Sequence, residues 1–282
     1  MSASPDQYAV MGNPIAHSES PRIHSLFAAQ TGQRLAYRAI LVDTAPGAFA
    51  AAVRAFRDEG GKGLNVTLPF KQDAWVLAEV LSARAERAGA VNTLHFRDDG
   101  VIYGDNTDGA GLVRDLAVNH GLRLEGSRIL LAGAGGAARG VLAPLLAEKP
   151  AGVIVANRSA DKASELALRF SDLGPVSGGG YAELAGRRFD LIINATAAGL
   201  SDEVPPLPED VLAAGGVCYD MVYGSSPTAF VRWGQAHGAR LALDGLGMLV
   251  EQAAESFLLW RGVRPDTAPV LAALRGGGDE IA

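Results

Sequence analysis

One stretch of the chain has residue types and spacing suited to phosphate chemistry. Gly133-Ala134-Gly135-Gly136-Ala137-Ala138 fits the pattern Gly-x-Gly-x-x-Ala, and it lies between a short apolar run and a segment of helical period. In that setting Gly133 permits the tight turn out of a strand, and Gly135 lets a pyrophosphate approach the backbone. Ala138 keeps the following helix close to its sheet. The helix N-terminus adds free amides and the positive end of a dipole. About 20 residues further on, a site for an unphosphorylated ribose would place Asp or Glu. This chain instead carries Asn157-Arg158-Ser159, with Lys162 one turn later. A planar guanidinium can pair with a 2'-phosphate and stack on adenine. Asn157 and Ser159 can donate hydrogen bonds, and Lys162 adds a second charge, so the expected cofactor is NADP. The competing readings are a glycine turn in a nucleotide-free α/β domain and a solvated Arg and Lys at the start of a surface helix.

A second set of polar groups crowds the first hundred or so residues. Asn13-Pro14-Ile15-Ala16-His17-Ser18-Glu19-Ser20-Pro21 brings two hydroxyls, Ser18 and Ser20, to a loop–helix junction. Asn65-Val66-Thr67-Leu68-Pro69-Phe70-Lys71 sets Asn65 and Thr67 on one side of a strand, with a lysine just beyond. Ala90-Val91-Asn92-Thr93 and Gly104-Asp105-Asn106-Thr107-Asp108-Gly109 add an amide and a carboxylate. Together these groups suit a small ligand bearing a carboxylate and several hydroxyls.

The elements that must position these groups alternate short β-branched runs with longer helical segments, the pattern of an α/β protein. Tyr8-Ala9-Val10-Met11, 35–42 and Leu64-Asn65-Val66-Thr67 read as strands, the last cut short by Pro69. Ser20 reads as an N-cap with Pro21 at the first helical position. Phe49, Val53 and Phe56 mark the buried stripe of a helix ending at Gly60-Gly61, and Asp99-Gly100 signals a hairpin. In the second half, Arg128-Ile129-Leu130-Leu131-Ala132 has the near-continuous apolarity of a central parallel strand. Further strands are expected at 153–156, 191–194, 216–220 and 241–243, giving a doubly wound sheet, and an amphipathic helix is expected from Met248 to Arg261. The Gly276-Gly277-Gly278 tail reads as frayed.

Composition narrows the classes. In 282 residues, 48% are hydrophobic and 20% charged, enough for one large or two modest cores. The net charge of −6 argues against a general nucleic-acid binder. One cysteine, Cys218, and five scattered histidines leave no spacing for a disulfide or a zinc site, so no metal is expected. The N-terminus lacks the features of a signal peptide, and apolar runs are interrupted before membrane-spanning length. The expected compartment is the cytoplasm.

In this order, the motifs at 12–21, 65–71, 89–93, 104–109, 133–138, 157–159, 194–196, 219–223 and 244–252 resemble the shikimate dehydrogenase family almost from end to end. The resemblance implies two α/β domains. One is a discontinuous substrate domain, 1–107 with 247–282, and the other a Rossmann-type NADP-binding domain, 108–246. It also implies reversible NADPH-dependent reduction of 3-dehydroshikimate to shikimate, in aromatic amino-acid biosynthesis through chorismate. Matched motif to motif, the catalytic pair falls on Lys71 and Asp108. Ser18, Ser20, Asn65, Thr67, Asn92 and Gln252 would hold the substrate, with Tyr223 close to it. Gly133, Ala134, Gly135, Gly136, Ala137, Asn157, Arg158, Ser159, Lys162, Thr196, Met221 and Gly245 would contact the cofactor. Two departures are Ala197-Ala198, where relatives often carry a small hydroxyl residue, and Ser159 in place of a threonine.

Several blander roles stay open at this level. Lys71 can be a first-turn helix residue and Asp108 an N-cap. His17 reads as a hydrogen-bonder of its turn and Asp105 as a stabiliser of its loop, while Trp75, Trp233 and Trp260 read as packing residues. The rival functions are a quinate/shikimate dehydrogenase that accepts NAD, a non-catalytic NADP-binding regulator, and a scaffold. Either a monomer or a homodimer fits.

Overall fold

The computed structural model describes residues 4–196 and 203–276. Ala197-Ala198 and most of the glycine tail, Gly277-Gly278, lie outside them. The chain divides into two compact units, Met1–Gly111 with Val250–Ala282, and Leu112–Leu249.

In the first unit β1 (Asp6–Gly12), β2 (Leu35–Leu41), β3 (Gly61–Val66), β4 (Val80–Leu81), β5 (Thr93–Phe96) and β6 (Ile102–Asp105) form one sheet, in the order β2-β1-β3-β5-β6-β4. The helices between them are α1 (Ser20–Thr31), α2 (Ala48–Asp58), α3 (Lys71–Leu77) and α4 (Ala83–Ala88), and α5 (Asp108–Arg114) follows β6. Strand β1 is parallel to both β2 and β3, whereas β5 runs antiparallel to β3 and β6. The expected hairpin is present, with His95 opposite Tyr103 and Phe96 opposite Ile102. Period-two patterning decides which side chains face which way. Ala9 and Met11 of β1, with Leu64 and Val66 of β3, pack on Phe49, Val53 and Phe56 of α2. Burying one such side chain is worth about 1.5–3 kcal/mol. A one-residue slip of β3 would forfeit that for the whole strand. Asn65, between Leu64 and Val66 and beside Val10, is thereby committed to the opposite face.

Ser20 is not the N-cap of α1. Glu19 already has helical backbone angles (φ −78°, ψ −7°), and its carbonyl accepts from Ile23 N–H at 3.0 Å. The helix therefore starts one residue earlier than expected, and the Ser18 hydroxyl accepts the Ser20 N–H at 3.3 Å.

In the second unit β7 (Arg128–Ala132), β8 (Gly152–Ala156), β9 (Val176–Gly179), β10 (Phe189–Asn194), β11 (Leu212–Asp220) and β12 (Leu241–Leu243) form a wholly parallel sheet, ordered β12-β11-β10-β7-β8-β9. This is the 3-2-1-4-5-6 order of dinucleotide-binding sheets, whose ligand crevice opens where the first and fourth strands, here β7 and β10, lead in opposite directions. Helices α6 (Gly136–Ala147), α7 (Ala160–Phe170) and α8 (Ala229–Ala236) cover it. Ile129 and Leu131 of β7 enter one core and Leu130 and Ala132 another, so both faces are buried, as a central parallel strand requires. Helix α9 (Leu246–Arg261) begins in this unit and ends in the first, where α10 (Ala268–Arg275) also belongs.

Candidate active site

Lys71 opens α3 and Asp108 opens α5. The Lys71 ammonium donates to Asp108 Oδ2 at 2.6 Å, with the two side chains 25% and 10% exposed. The pair is shielded, yet the lysine can still be reached. Asn92, which is buried, donates from Nδ2 to the other carboxylate oxygen at 2.8 Å. The same nitrogen lies 2.9 Å from Thr107 Oγ1 and 3.1 Å from Gln252 Oε1. Asn92 Oδ1 accepts from Thr107 N–H at 2.8 Å and from the Thr93 hydroxyl at 2.9 Å. A carboxylate only accepts, so the side facing Asp108 must be the amide NH2. Asp108 spends its carboxylate on Lys71 and Asn92, not on capping the amides of α5, and its own N–H donates to Asn106 Oδ1 at 3.2 Å.

Asn65 extends this network. Its Nδ2 donates to Ser256 Oγ at 2.9 Å and to Thr93 Oγ1 at 3.1 Å, while Oδ1 accepts from Tyr37 OH at 2.7 Å. Ser256 is fully buried and lies one turn after Gln252 on α9. Of the expected substrate residues in this unit, Asn65, Asn92 and Gln252 thus share one network with the Lys71–Asp108 pair. Thr67 stands just past β3, half-buried, and its methyl occupies the space that a side chain at Gly12 would need, 2.3 Å from such a Cβ. His17 is exposed, with no hydrogen bond among the described residues, which corrects its expected role in the turn. Asp105 does stabilise its loop, bonded by Ser82, Arg84 and Asn106 N–H. Burial works against its charge, but the Arg84 guanidinium keeps the carboxyl below the usual range.

In the second unit Gly133 has φ +112°, and a Cβ there would stand 2.9 Å from the Ala195 carbonyl oxygen. Only glycine fits where β7 and β10 end side by side. Gly135, Gly136 and Ala137 are exposed at the start of α6, and a Cβ on Gly135 would meet nothing within 4 Å. That open backbone over a 12-residue helix suits a pyrophosphate. Asn157-Arg158-Ser159 follow β8, with Asn157 Nδ2 donating to Ser159 O at 3.1 Å. Arg158, Ser159 and Lys162 are exposed. The nearest acid in sequence, Asp161, belongs to the first turn of α7 and not to the strand end. Thr196 donates to Asn194 Oδ1 from both its N–H and its hydroxyl, Met221 N–H donates to Asn194 O at 3.0 Å, and Gly245 packs on the Met221 carbonyl. Thr196, Met221 and Gly245 are therefore grouped around the end of β10. Tyr223 lies half-buried in the turn after β11.

Sequence reading passed over Tyr37, Thr93, Thr107, Ser256 and Arg139. Ser256 could have been found from its four-residue spacing to Gln252 on an expected helix, and Thr107 from its place inside the Asp108 motif. Arg139 has an Nε buried without a partner among the described residues, and its guanidinium lies 3.8 Å from where a Cβ on Gly136 would be. Burial, with Arg169 nearby, lowers its pKa. Among the described residues no group of three or more His, Cys, Asp or Glu could hold a metal, and no helix is long and apolar enough to cross a membrane.

A doubly wound parallel sheet with this glycine turn, joined in one chain to a shielded lysine–carboxylate pair, defines a nicotinamide-dinucleotide oxidoreductase of the α/β class. Family models described as the shikimate dehydrogenase substrate binding domain, shikimate / quinate 5-dehydrogenase and the shikimate 5'-dehydrogenase C-terminal domain match residues 10–94, 115–201 and 245–275. A shikimate dehydrogenase (NADP(+)) of Methylococcus capsulatus is 63% identical over 270 residues, 96% of either chain. The chain belongs to the shikimate dehydrogenase family. The crystal structure of an Ael1 enzyme from Pseudomonas putida is similar with a TM-score of 0.88 at 47% identity, covering 95% of this chain and 98% of that one. That of a shikimate 5-dehydrogenase from Thermus thermophilus, in complex with NADP(H) and shikimate, gives 0.82 at 33% identity, covering 96% and 99%.

Proposed function

We propose that this protein reduces 3-dehydroshikimate to shikimate reversibly with NADPH, in the route through chorismate to the aromatic amino acids. The first unit is assigned to the substrate and the second to NADP. The observation that carries the reading is the Lys71–Asp108 pair, held by Asn92 inside a buried amide and hydroxyl network.

When bound, NADPH supplies the hydride for the ketone carbon. As the carbonyl bond breaks, negative charge grows on its oxygen. The Lys71 ammonium, set against that oxygen, stabilises the charge and delivers the proton, while Asp108 orients the ammonium and relays the replacement proton. In the oxidative direction the pair accepts the hydroxyl proton. The acid/base role belongs to the two groups as a unit. Ser18, Ser20, Asn65, Thr67, Asn92 and Gln252 are assigned to the substrate carboxylate and hydroxyls, and Tyr223 to the substrate by family resemblance alone. Gly133 to Ala137 are assigned to the pyrophosphate, and Asn157, Arg158, Ser159 and Lys162 to the 2'-phosphate and adenine. Thr196, Met221 and Gly245 are assigned to the rest of the cofactor. The intact Lys71–Asp108 pair speaks against a regulator without turnover. We place the protein in the cytoplasm, as a monomer or homodimer acting on a small molecule, with neither nucleic acid nor membrane as partner.

The test is absorbance at the reduced-nicotinamide band with shikimate or quinate and NADP or NAD, in all four pairings. Rapid reduction with shikimate and NADP alone is the expected result. Comparable rates with quinate or NAD would move the protein to a broader specificity, and silence in every pairing would contradict turnover.

A further inference from the structure

Asp220 ends β11 fully buried, and among the described residues it has no ion pair. Three donors meet its carboxylate instead. Asn194 Nδ2 and the Val222 N–H reach Oδ1 at 3.0 and 3.1 Å, and the Thr228 hydroxyl reaches Oδ2 at 2.6 Å. Burial raises the carboxyl above its ordinary range, and the three donors offset part of that. Thr228 is itself pinned, since its Oγ1 accepts the Val231 N–H as the N-cap of α8. Asn194, fully buried at the end of β10 and opposite Asp220 in the register, carries the anchorage one residue further. Its Oδ1 accepts from the N–H and the hydroxyl of Thr196 at 3.1 and 2.7 Å, and its backbone carbonyl accepts the Met221 N–H at 3.0 Å. A backbone N–H only donates, so Oδ1 must face Thr196 and the NH2 must face Asp220. That orientation requires an acceptor at Asp220, which the carboxylate supplies.

The strand order says which part of the cofactor these residues would meet. Arg158 follows β8, on one side of β7, and the Gly133 turn ends β7 itself. Strands β10 and β11 lie on the other side, and the Thr196 nitrogen stands 3.2 Å from where a Cβ on Gly133 would be. A dinucleotide with its 2'-phosphate at Arg158 and its pyrophosphate at the glycine turn therefore extends its nicotinamide half over the ends of β10 and β11. We propose that Asp220 and Asn194 are positioning residues for that half, holding Thr196 and Met221 in place at the two strand ends. Neither side chain is hydrogen-bonded to the Asn157-Arg158-Ser159 turn, so their effect should fall on the nicotinamide half and spare the adenosine half.

The inference rests on the assignment of the second unit to NADP, and Asn194→Ala tests it by removing the side chain that joins Thr196 to Asp220. The probes are NADP and 2',5'-ADP, which keeps the adenosine half with its 2'-phosphate and lacks the nicotinamide. Each is titrated without substrate and followed by calorimetry. A hydrogen bond of this kind is worth about a five- to tenfold change in an equilibrium. Kd for NADP should rise by that factor, while Kd for 2',5'-ADP stays within about twofold of the parent. Asp220→Asn, whose carbonyl oxygen can still accept from Asn194 and Val222, should retain more NADP affinity than Asp220→Ala. Should Asn194→Ala fail to fold, Asn194→Ser, with a side chain too short to reach Asp220, gives the same comparison. An unchanged Kd for NADP in Asn194→Ala would overturn the positioning role. So would equal losses for both probes, which would mark general damage to the unit. An Asp220→Asn variant as weak as Asp220→Ala would overturn it too, making the charge and not the accepted bonds the active feature. If the parent binds both probes and Asn194→Ala matches it, only this inference fails. If the parent binds neither, the assignment of NADP fails with it.

Discussion

Asn92→Asp replaces one NH2 by an oxygen and changes little else in shape. Its retained Oδ1 still accepts from Thr107 N–H and the Thr93 hydroxyl. The new oxygen faces Asp108 Oδ1 across the 2.8 Å now spanned by a hydrogen bond. Two unit charges at that separation repel by about 6 kcal/mol at an effective dielectric of about 20. Lys71 offsets part of this, but two ionised carboxylates cannot persist so close together, and they will share one proton. Three consequences follow. The acid limb of kcat/KM for shikimate oxidation should move up by more than about 2 pH units. Turnover at pH 7 should fall by about 100-fold and recover toward alkaline pH. Stability should move the other way: the pair's pKa is raised in the folded state, so the variant is nearest to the parent below about pH 4, the unfolded carboxylate value, and falls behind it as pH rises. The assays are a pH–rate profile and thermal melts across the same range, with NADP titration as a control. A pH profile superimposed on that of the parent, with turnover within twofold at pH 7, would refute the placement of the Asn92 NH2 against the Asp108 carboxylate.

Arg158→Ala should raise KM for NADP by about tenfold, the lower end of what a charge-assisted hydrogen bond contributes because the side chain is exposed, and should leave KM for NAD unchanged. Equal effects on both would show that Arg158 does not read the 2'-phosphate. His24 offers a pH test of the fold. Neither ring nitrogen has a hydrogen-bond partner among the described residues, and burial pushes its pKa down to about 3, the nearby Asn65 amide offsetting only part of this. The unfolded chain takes up a proton near pH 6.5 and the folded one does not, so stability is full above that value and is lost progressively as pH falls toward 3. The loss due to this group reaches about 2 kcal/mol at pH 5. His24→Phe, which keeps the ring stack, should flatten the decline of urea-melt stability between pH 7 and pH 5; an identical decline would clear His24 of responsibility.

The second unit was the more legible in the sequence. Ile129-Leu130-Leu131-Ala132 is apolar on both faces, and that alone marks a central parallel strand; Gly133 then fits only a turn that passes against the Ala195 backbone. Strand β9 was missed because Val-Ser-Gly-Gly carries almost no side-chain signal, and β4 because two residues show no period. The first unit was legible in its elements but not in its wiring. Lys71, Asp108 and Asn92 stand in separate motifs, and only the fold shows them bonded. Tyr37 had no signal, since it is an ordinary strand residue by type and joins the network only through Asn65, distant in the chain, whereas Thr93 stood beside Asn92 in a recognised motif without showing its own bond to it. The misplacement of Ser20 as an N-cap has a similar origin. Ser before Pro is a sound local signal, but the backbone of Glu19 is already helical.

The most direct test of the central claim is a single turnover of the parent and of Lys71→Ala, each saturated with NADP and shikimate and followed by nicotinamide absorbance. The account predicts rapid reduction by the parent and a rate at least about 100-fold lower in the variant, with NADP affinity preserved. A near-parental rate in Lys71→Ala would contradict proton transfer through the Lys71–Asp108 pair.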